Sequence, residues 1–128
     1  MDRFHVLVIG PGLGRCPMVL EATFRIIQEA KSRNVPLVLD ADALFLLTLD
    51  PYQKAIENYD TVVLTPNVVD RQRLDGLEQY WKRATVVQKG ARDVICRDET
   101  TMILVPKRED SNDRADWEIF WPGRLALW

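Results

Sequence analysis

Two acidic side chains, Asp40 and Asp42, stand on either side of Ala41 at the end of an apolar segment. Carboxylates this close together are suited to binding Mg²⁺ or to accepting hydrogen bonds from the hydroxyls of a ligand. The alternative role is structural, because an acidic side chain at this position can cap the helix that follows. We expect Asp40 to take part in ligand binding and Asp42 to act as the cap.

A glycine-rich segment joins the first apolar run to the first amphipathic segment, with glycines at Gly10, Gly12 and Gly14. Glycine lets backbone N–H groups approach a phosphate or another polar ligand closely. A turn from a strand into a helix needs glycine for its geometry alone. The segment therefore fits a ligand-binding loop and a plain connection equally well.

Asn67 follows a third apolar segment, directly after Pro66. Its side chain offers a donor and an acceptor, and the proline fixes the turn in which it stands. Asn67 is also a typical helix N-cap, and Asp70 in the first turn would favour the positive end of that helix. Ligand binding and capping both stay open for this residue.

Lys89 and Gly90 follow a fourth apolar segment. A lysine beside a glycine lets a phosphate meet a positive charge while the backbone comes close. A solvated turn explains the pair equally well.

Strand and helix patterns alternate along the chain. They predict strands at 5–9, 36–40, 61–64 and 84–88, helices at 17–33, 43–49 and 66–83, and a hairpin of 93–97 with 101–105. This order predicts an α/β fold, with a Rossmann-like three-layer parallel sheet and a first strand buried on both faces. Because the carboxyl ends of parallel strands share one edge, the four polar segments should meet there.

Composition narrows the class of protein. The chain has 128 residues, 47% of them hydrophobic, and a net charge of -2. No basic stripe is visible, and no apolar run is long enough to span a bilayer, so we expect neither a nucleic-acid nor a membrane partner. We expect Cys16 and Cys96 to be plain buried thiols, which favours an intracellular protein.

The sequence after residue 106 differs in character from the rest. Residues 107–116 are polar and have no periodicity, and Trp117, Trp121 and Trp128 crowd the segment that follows. We therefore predict one domain over residues 1–106 and an irregular tail over residues 107–128.

The ordered motifs GPGLG, DADAL, LTPN and VVQKG resemble the ATP/ADP-dependent (S)-NAD(P)H-hydrate dehydratase family over residues 4–97. The resemblance implies a ribokinase-like fold and the dehydration of hydrated NADH or NADPH, with ATP or ADP and Mg²⁺. Phosphoryl transfer to the hydroxyl of the hydrate would create a good leaving group, so positioning and charge would dominate catalysis.

The family's binding residues map onto Gly14 and onto two stretches of this chain. By resemblance, the hydrated nicotinamide nucleotide would contact Gly14, Asn67, Val68, Val69, Asp70, Arg71, Gln72 and Arg73. By resemblance, ATP would contact Lys89, Gly90, Ala91, Arg92 and Asp93. The family's catalytic Gly-Gly-x-Gly-Asp motif is absent from the sequence, so no catalytic residue is assigned and we expect the chain to be an incomplete, inactive member.

The metal ligands stay unknown, and a homo-oligomer stays open. We expect a cytoplasmic location, or a mitochondrial one if a targeting segment lies upstream.

Two other functions compete with the dehydratase. A Rossmann-type NAD-binding domain of an oxidoreductase would use the glycine turn and place Asp40 on a ribose, although Gly14 breaks the spacing of that fingerprint. A non-catalytic product that binds nucleotide would fit the absence of the Gly-Asp motif.

The tail also suggests a hypothesis about its reading frame. Residues 117–123 can be encoded TGG GAG ATC TTT TGG CCG GGT, and the same bases read from the third onward encode Gly-Asp-Leu-Leu-Ala-Gly. The shifted frame would thus supply the missing motif, so we interpret residues from about Asn112 onward as translated in a shifted frame. A natural tail from alternative splicing is the alternative.

Overall fold

The computed structural model describes residues 5–97, 100–106 and 117–120. Its strands are β1 (Leu7–Ile9), β2 (Leu37–Leu39), β3 (Val62–Leu64), β4 (Thr85–Gln88), β5 (Asp93–Arg97), β6 (Thr100–Pro106) and β7 (Trp117–Phe120). Its α-helices are α1 (Pro17–Ser32), α2 (Asp42–Leu46) and α3 (Val68–Arg73), and short 3₁₀ helices span Asp50–Tyr52 and Glu78–Tyr80.

The described strands form one seven-stranded sheet in which every strand pairs with its neighbour in sequence. Strands β1 to β4 run parallel, and β4 to β7 pair in antiparallel fashion. The register places Val38 beside both Val8 and Val63, so the apolar alternation of the parallel strands is aligned across the sheet. The predicted α/β class, the parallel strands and the hairpin are therefore confirmed.

Helix α1 is the longest element among the described residues. Pro17 stands in its first turn, where the missing N–H of proline costs no hydrogen bond, and Leu20, Ile27 and Ala30 are buried along one face. The chain leaves the helix through Asn34, which takes a left-handed φ of 55°. The sequence prediction for this helix is confirmed to within a residue at its C-terminal end.

The main apolar core lies on one face of the sheet. Leu37, Leu39 and Leu64 are at most 1% exposed and belong to the same buried cluster as Ile27 of α1. Val8 points to the opposite face and is 65% exposed. The prediction that the first strand is buried on both faces is therefore wrong, because the packed helices cover only the face that carries the leucines.

Two helices are shorter than predicted. Helix α3 ends at Arg73 rather than near residue 83, because the chain turns at Gly76, whose φ is 83°, and continues into the second 3₁₀ helix. Helix α2 begins at Asp42 and ends at Leu46 rather than at residue 49, since a turn and the first 3₁₀ helix follow.

The prediction of no regular element after residue 106 is wrong for Trp117–Phe120, which pair with β6 as strand β7. The rest of the predicted tail, and with it most of the segment assigned to a shifted frame, lies outside the described residues, and the predicted domain division stays a prediction. Among the helices that the structure describes, none has the length and apolar character needed to cross a bilayer.

Candidate functional site

The carboxyl ends of the four parallel strands meet at one edge of the sheet and are joined by backbone hydrogen bonds. The N–H of Asp40 donates to the carbonyl of Ile9 at 3.0 Å, and the N–H of Thr65 donates to the carbonyl of Leu39 at 3.1 Å. The N–H of Lys89 donates to the carbonyl of Pro66 at 2.8 Å. The predicted convergence of the polar segments at this edge is confirmed.

Gly10 is the point where the glycine-rich loop leaves β1. Its φ is 135°, and a Cβ built there would lie 1.6 Å from the carbonyl oxygen of Asp40. No side chain larger than hydrogen fits this close approach. The first glycine of the loop is therefore required by the packing of the loop against the end of β2.

Lys89 and Asp40 form an ion pair across the edge. The Nζ of Lys89 lies 3.0 Å from Oδ1 and 3.2 Å from Oδ2 of Asp40. Because β3 lies between β2 and β4, the pair reaches over the end of β3, where Thr65 stands. The segments that were predicted to bind a ligand through Asp40 and Lys89 are thus in direct contact.

The charge on Asp40 is stabilised by its neighbours. Burial raises the pKa of this carboxyl, but hydrogen bonds from Lys89 and from the N–H of Ala41, with the charge of Lys89 and a bond with Thr65, outweigh burial and lower the pKa below its ordinary value. Asp40 is therefore a carboxylate at neutral pH, and Lys89 has a negative partner.

Asp42 connects the glycine-rich loop to the start of α2. Its Oδ2 accepts a hydrogen bond from the N–H of Gly14 at 2.8 Å, and its Oδ1 accepts one from Nε of Arg15 at 3.0 Å. The guanidinium of Arg15 also lies over the ring of Phe45, 4.1 Å from its centroid, in a cation–π contact. The hydrogen bonds from Arg15 and then from Gly14 lower the pKa of Asp42.

The expected capping role of Asp42 is wrong. The N-cap of α2 is Ala41, and no side chain caps this helix end. Asp42 is already the first helical residue, so its side chain points back to the loop after β1. The contact of Arg15 was not predicted from the sequence. The signal that could have found it is the positive charge directly after the glycine-rich loop, which is opposite to the charge of Asp42.

Ala41 has a strained backbone, with φ of 46° and ψ of −116°. A residue with a Cβ rarely adopts a positive φ, and such strain persists only where the surroundings impose it. Here the side chains of both flanking aspartates are anchored by hydrogen bonds. The strain marks the turn between Asp40 and Asp42 as a constrained point of the edge.

Asn67 and Asp70 form a capping box at the start of α3. The Oδ1 of Asn67 accepts from the N–H of Asp70 at 2.7 Å, and Oδ2 of Asp70 accepts from the N–H of Asn67 at 3.2 Å. The capping interpretation of Asn67 is confirmed. Its proposed contact with a ligand stays a prediction.

The remaining residues of α3 differ in exposure. Val68 and Val69 are each 50% exposed, unusual for two adjacent valines, and Gln72 is exposed as well. Arg71 instead turns inward, since it donates to Glu78 at 2.9 Å and its guanidinium lies 5.6 Å from the ring of Trp81. Nη1 of Arg73 lies 4.0 Å from Oδ1 of Asp70.

The loop after β4 carries the residues that resemble an ATP-binding stretch. Gly90, Ala91 and Arg92 are exposed, and the N–H of Gly90 donates to Oδ1 of Asp93 at 3.1 Å. This bond closes a tight turn beside Lys89. The five residues assigned to ATP are therefore contiguous at the carboxyl edge of the sheet.

The described residues do not fit a cation held by protein ligands alone. They contain no group of three or more His, Cys, Asp or Glu side chains that could hold a metal ion. Asp40 and Asp42 both already bind cationic side chains. Cys96 is buried as expected, whereas Cys16 is exposed at the N-cap of α1, so that expectation is wrong.

Solved structures show the class of fold. A ribokinase-like superfamily protein from Enterococcus faecalis aligns with a TM-score of 0.55 and 26% identity over 73% of this chain and 36% of that protein. A hypothetical protein from Streptococcus mutans aligns with a TM-score of 0.61 and 24% identity over 76% of this chain and 39% of that protein. The chain therefore has a ribokinase-like α/β fold.

Sequence comparison identifies the family within this class. A family model described as NAD(P)H-hydrate dehydratase matches residues 1–115, so the chain belongs to that family. An ATP-dependent (S)-NAD(P)H-hydrate dehydratase of Neurospora crassa is 41% identical over 127 residues, which cover 81% of this chain and 35% of the relative.

The same name belongs to a similar protein of Bos taurus, which is 39% identical over 132 positions covering 89% of this chain and 39% of the relative. A third, from Physcomitrium patens, is 51% identical over 74 residues, covering 58% of this chain and 21% of the relative. In these alignments the chain spans at most about two fifths of the length of its curated relatives.

Proposed function

We propose that this chain carries binding residues of an ATP-dependent (S)-NAD(P)H-hydrate dehydratase, an enzyme that returns hydrated NADH or NADPH to the intact nucleotide. The observation that carries the proposal is the direct contact between Lys89 and Asp40 at the carboxyl edge of the sheet, in a chain of this family. In open α/β sheets this edge is where ligands bind.

In the proposed arrangement the polyphosphate of ATP lies against the turn 89–93. Lys89 supplies a positive charge there, and the exposed Gly90 and Ala91 allow the phosphates to approach the backbone. Since the described residues offer no closed cation site, Mg²⁺ would enter with the ATP and be held largely by its phosphates.

The hydrated nicotinamide nucleotide lies, in this proposal, between the glycine-rich loop and α3. The open space beside Gly14, where a Cβ would contact nothing within 4 Å, leaves room for a ligand, and the exposed Val68 and Val69 supply an apolar surface at the start of α3. Phosphoryl transfer from ATP to the hydroxyl of the hydrate would release ADP, and elimination of the phosphate together with a ring proton would restore the double bond of NAD(P)H. The location would be cytoplasmic, where an exposed thiol such as Cys16 stays reduced.

A Rossmann-type oxidoreductase domain is not favoured. Its ribose-binding acid would be Asp40, whose carboxylate here holds Lys89. The family match also points to the dehydratase rather than to an oxidoreductase.

Calorimetric titration of the full chain with Mg·ATP and, separately, with NADPH tests the proposal. Both should bind, and Lys89→Ala should abolish only the binding of Mg·ATP. Binding of NAD⁺ without any binding of ATP would instead support the oxidoreductase domain.

A second experiment tests activity. Because the Gly-Asp motif is absent from the sequence, incubation with NADH hydrate, ATP and Mg²⁺ should leave the hydrate unchanged, whereas turnover of roughly 1 per second would contradict that expectation.

A further inference from the structure

The turn from Asp40 to Asp42 contacts both stretches to which the proposed function assigns ligands. Asp42 bonds Gly14 on the side of the nicotinamide nucleotide, and Asp40 bonds Lys89 on the side of ATP. We propose that this turn is the positioning element of the site, in which Asp42 sets the shape of the glycine-rich loop and Asp40 sets the direction of Lys89. The inference rests on the proposed function, because that function supplies the two ligands.

The hydrogen bond from Gly14 to Asp42 limits how Gly14 can contact a ligand. Gly14 has a φ of 80°, and its N–H is taken by the carboxylate of Asp42 at 2.8 Å. Its N–H is therefore not the group that meets the ligand, and the space left open by the missing Cβ is what the loop offers. Arg15, which is held between Asp42 and the ring of Phe45, fixes the chain directly after Gly14.

The Asp40 contact restricts Lys89 in a comparable way. A lysine side chain has many rotamers, and an ordered one loses conformational entropy. Lys89 is 45% exposed, whereas Asp40 is only 26% exposed and is tied further by the N–H of Ala41 at 2.8 Å. The less exposed acid thus holds the side chain of Lys89 over the end of β3.

Ala41 explains how one short turn can hold two separate loops. The single residue between Asp40 and Asp42 has a left-handed φ of 46°, which turns the two carboxylates toward different loops. Release of either carboxylate would let the turn relax locally and leave the opposite contact in place. The two carboxylates should therefore affect different ligands.

Two isosteric variants of the full chain, Asp42→Asn and Asp40→Asn, test this separation with Mg·ATP and NADPH as probes. Misplacement of a contact with the ligand, rather than the loss of the exposed ion pair itself, corresponds to about tenfold in affinity. Asp42→Asn should weaken the binding of NADPH by about that factor and change the affinity for Mg·ATP by no more than roughly twofold. Asp40→Asn should show the reverse pattern. The control is Asp60→Asn, an exposed aspartate that pairs with Arg83 at 3.5 Å outside the site, and it should change neither affinity.

A general loss of folding would weaken both probes together, so the reciprocal pattern separates positioning from plain stability. Equal weakening of both probes, or no change in either, would overturn the positioning role and leave the proposed function intact. Failure of the unmodified chain to bind either probe would overturn the proposed function and the positioning role with it. If Asp42→Asn does not fold, Arg15→Gln removes the same charge contact without altering the turn and should weaken NADPH alone.

Discussion

The Nζ of Lys89 binds both carboxylate oxygens of Asp40, at 3.0 and 3.2 Å, and thereby joins two strand ends that lie 49 residues apart in the chain. The strand between them, β3, has no charged group in this contact and contributes Thr65 beneath it. The opposite charges that follow β2 and β4 thus meet above the end of β3, and this contact holds the carboxyl ends of the three strands together.

This ion pair predicts a pH-dependent stability. The pKa of Asp40 is lower in the folded protein than its ordinary value of 3.8, so the contribution of the pair is present above pH 3.8 and is lost as the pH falls through the lower folded value. Because Lys89 is 45% exposed, solvent screening limits the contribution to about 0.5 kcal/mol. Urea unfolding should show Asp40→Asn less stable than the unmodified chain at pH 7, and the gap should close as the pH falls below 3.8. A gap that stays constant across this range would contradict the prediction.

Replacing Gly10 by alanine should destabilise the fold strongly. The added Cβ would lie 1.6 Å from the backbone oxygen of Asp40, and neither backbone can yield cheaply. We expect a loss of about 3 kcal/mol or more in the free energy of unfolding. Gly12→Ala is the matched control, because a Cβ there meets nothing within 4 Å and only its φ of 73° is unfavourable, which costs about 1 kcal/mol. Equal thermal shifts for the two variants would show that the close approach at Gly10 is not what matters.

The one-sided core predicts opposite outcomes for two residues on neighbouring strands. Leu39→Ala should cost about 2–5 kcal/mol, because Leu39 is 0% exposed. Val8→Ala should cost roughly 0.5 kcal/mol or less, because Val8 is 65% exposed. Urea unfolding of both variants measures the difference, and a large cost for Val8→Ala would mean that this face is covered in solution.

Loss of the capping box should loosen α3. The helix has no buried residue, so little besides its cap stabilises it. Asn67→Ala should cost about 0.5–2 kcal/mol of local stability, visible as faster hydrogen exchange of the α3 amides. Asn67→Asp retains an acceptor and should keep the exchange slow. Unchanged exchange in Asn67→Ala would show that the cap contributes nothing.

The reading-frame hypothesis is tested on the nucleic acid. We expect the frame that starts at the third base of the codon for Arg114 to encode Gly-Gly-Leu-Gly-Asp-Leu-Leu-Ala-Gly. Sequencing of the transcript and of the genomic locus decides the matter. A stop codon inside this stretch, or any codon other than those for Gly-Asp at the shifted position, would refute the hypothesis.

The sequence was sufficient to predict the edge of the sheet but not the contacts along it. Strand ends can be predicted from apolar runs, and parallel strands bring their carboxyl ends together, which is why Asp40 and Lys89 were both assigned correctly to that edge. The role of Asp42 was not predictable, because it depends on α2 beginning one residue early and on the left-handed φ of Ala41. Neither follows from residue type, since alanine rarely adopts that conformation.

The predictions of burial for the first strand and of length for α3 failed for a related reason. The composition of the first strand resembles that of a strand covered on both sides, but periodicity does not show which elements pack against Val8. The polar stretch after Asn67 has the composition of one long helix, but the turn at Gly76 and the burial of Leu74 depend on tertiary packing. Local patterns therefore predicted the kinds of elements and missed their ends and their neighbours.

The order of the strands has a consequence for how the sheet assembles during synthesis. Since β1 to β7 lie side by side in the order in which they leave the ribosome, each new strand meets the edge left by the one before it, and none must be inserted between two strands already paired. Among the described strands, growth can therefore be vectorial, with one growing edge that moves along as the chain lengthens. At that growing edge the exposed hydrogen-bonding groups belong to the most recent strand, so a pause in translation leaves no gap inside the part of the sheet that has already formed.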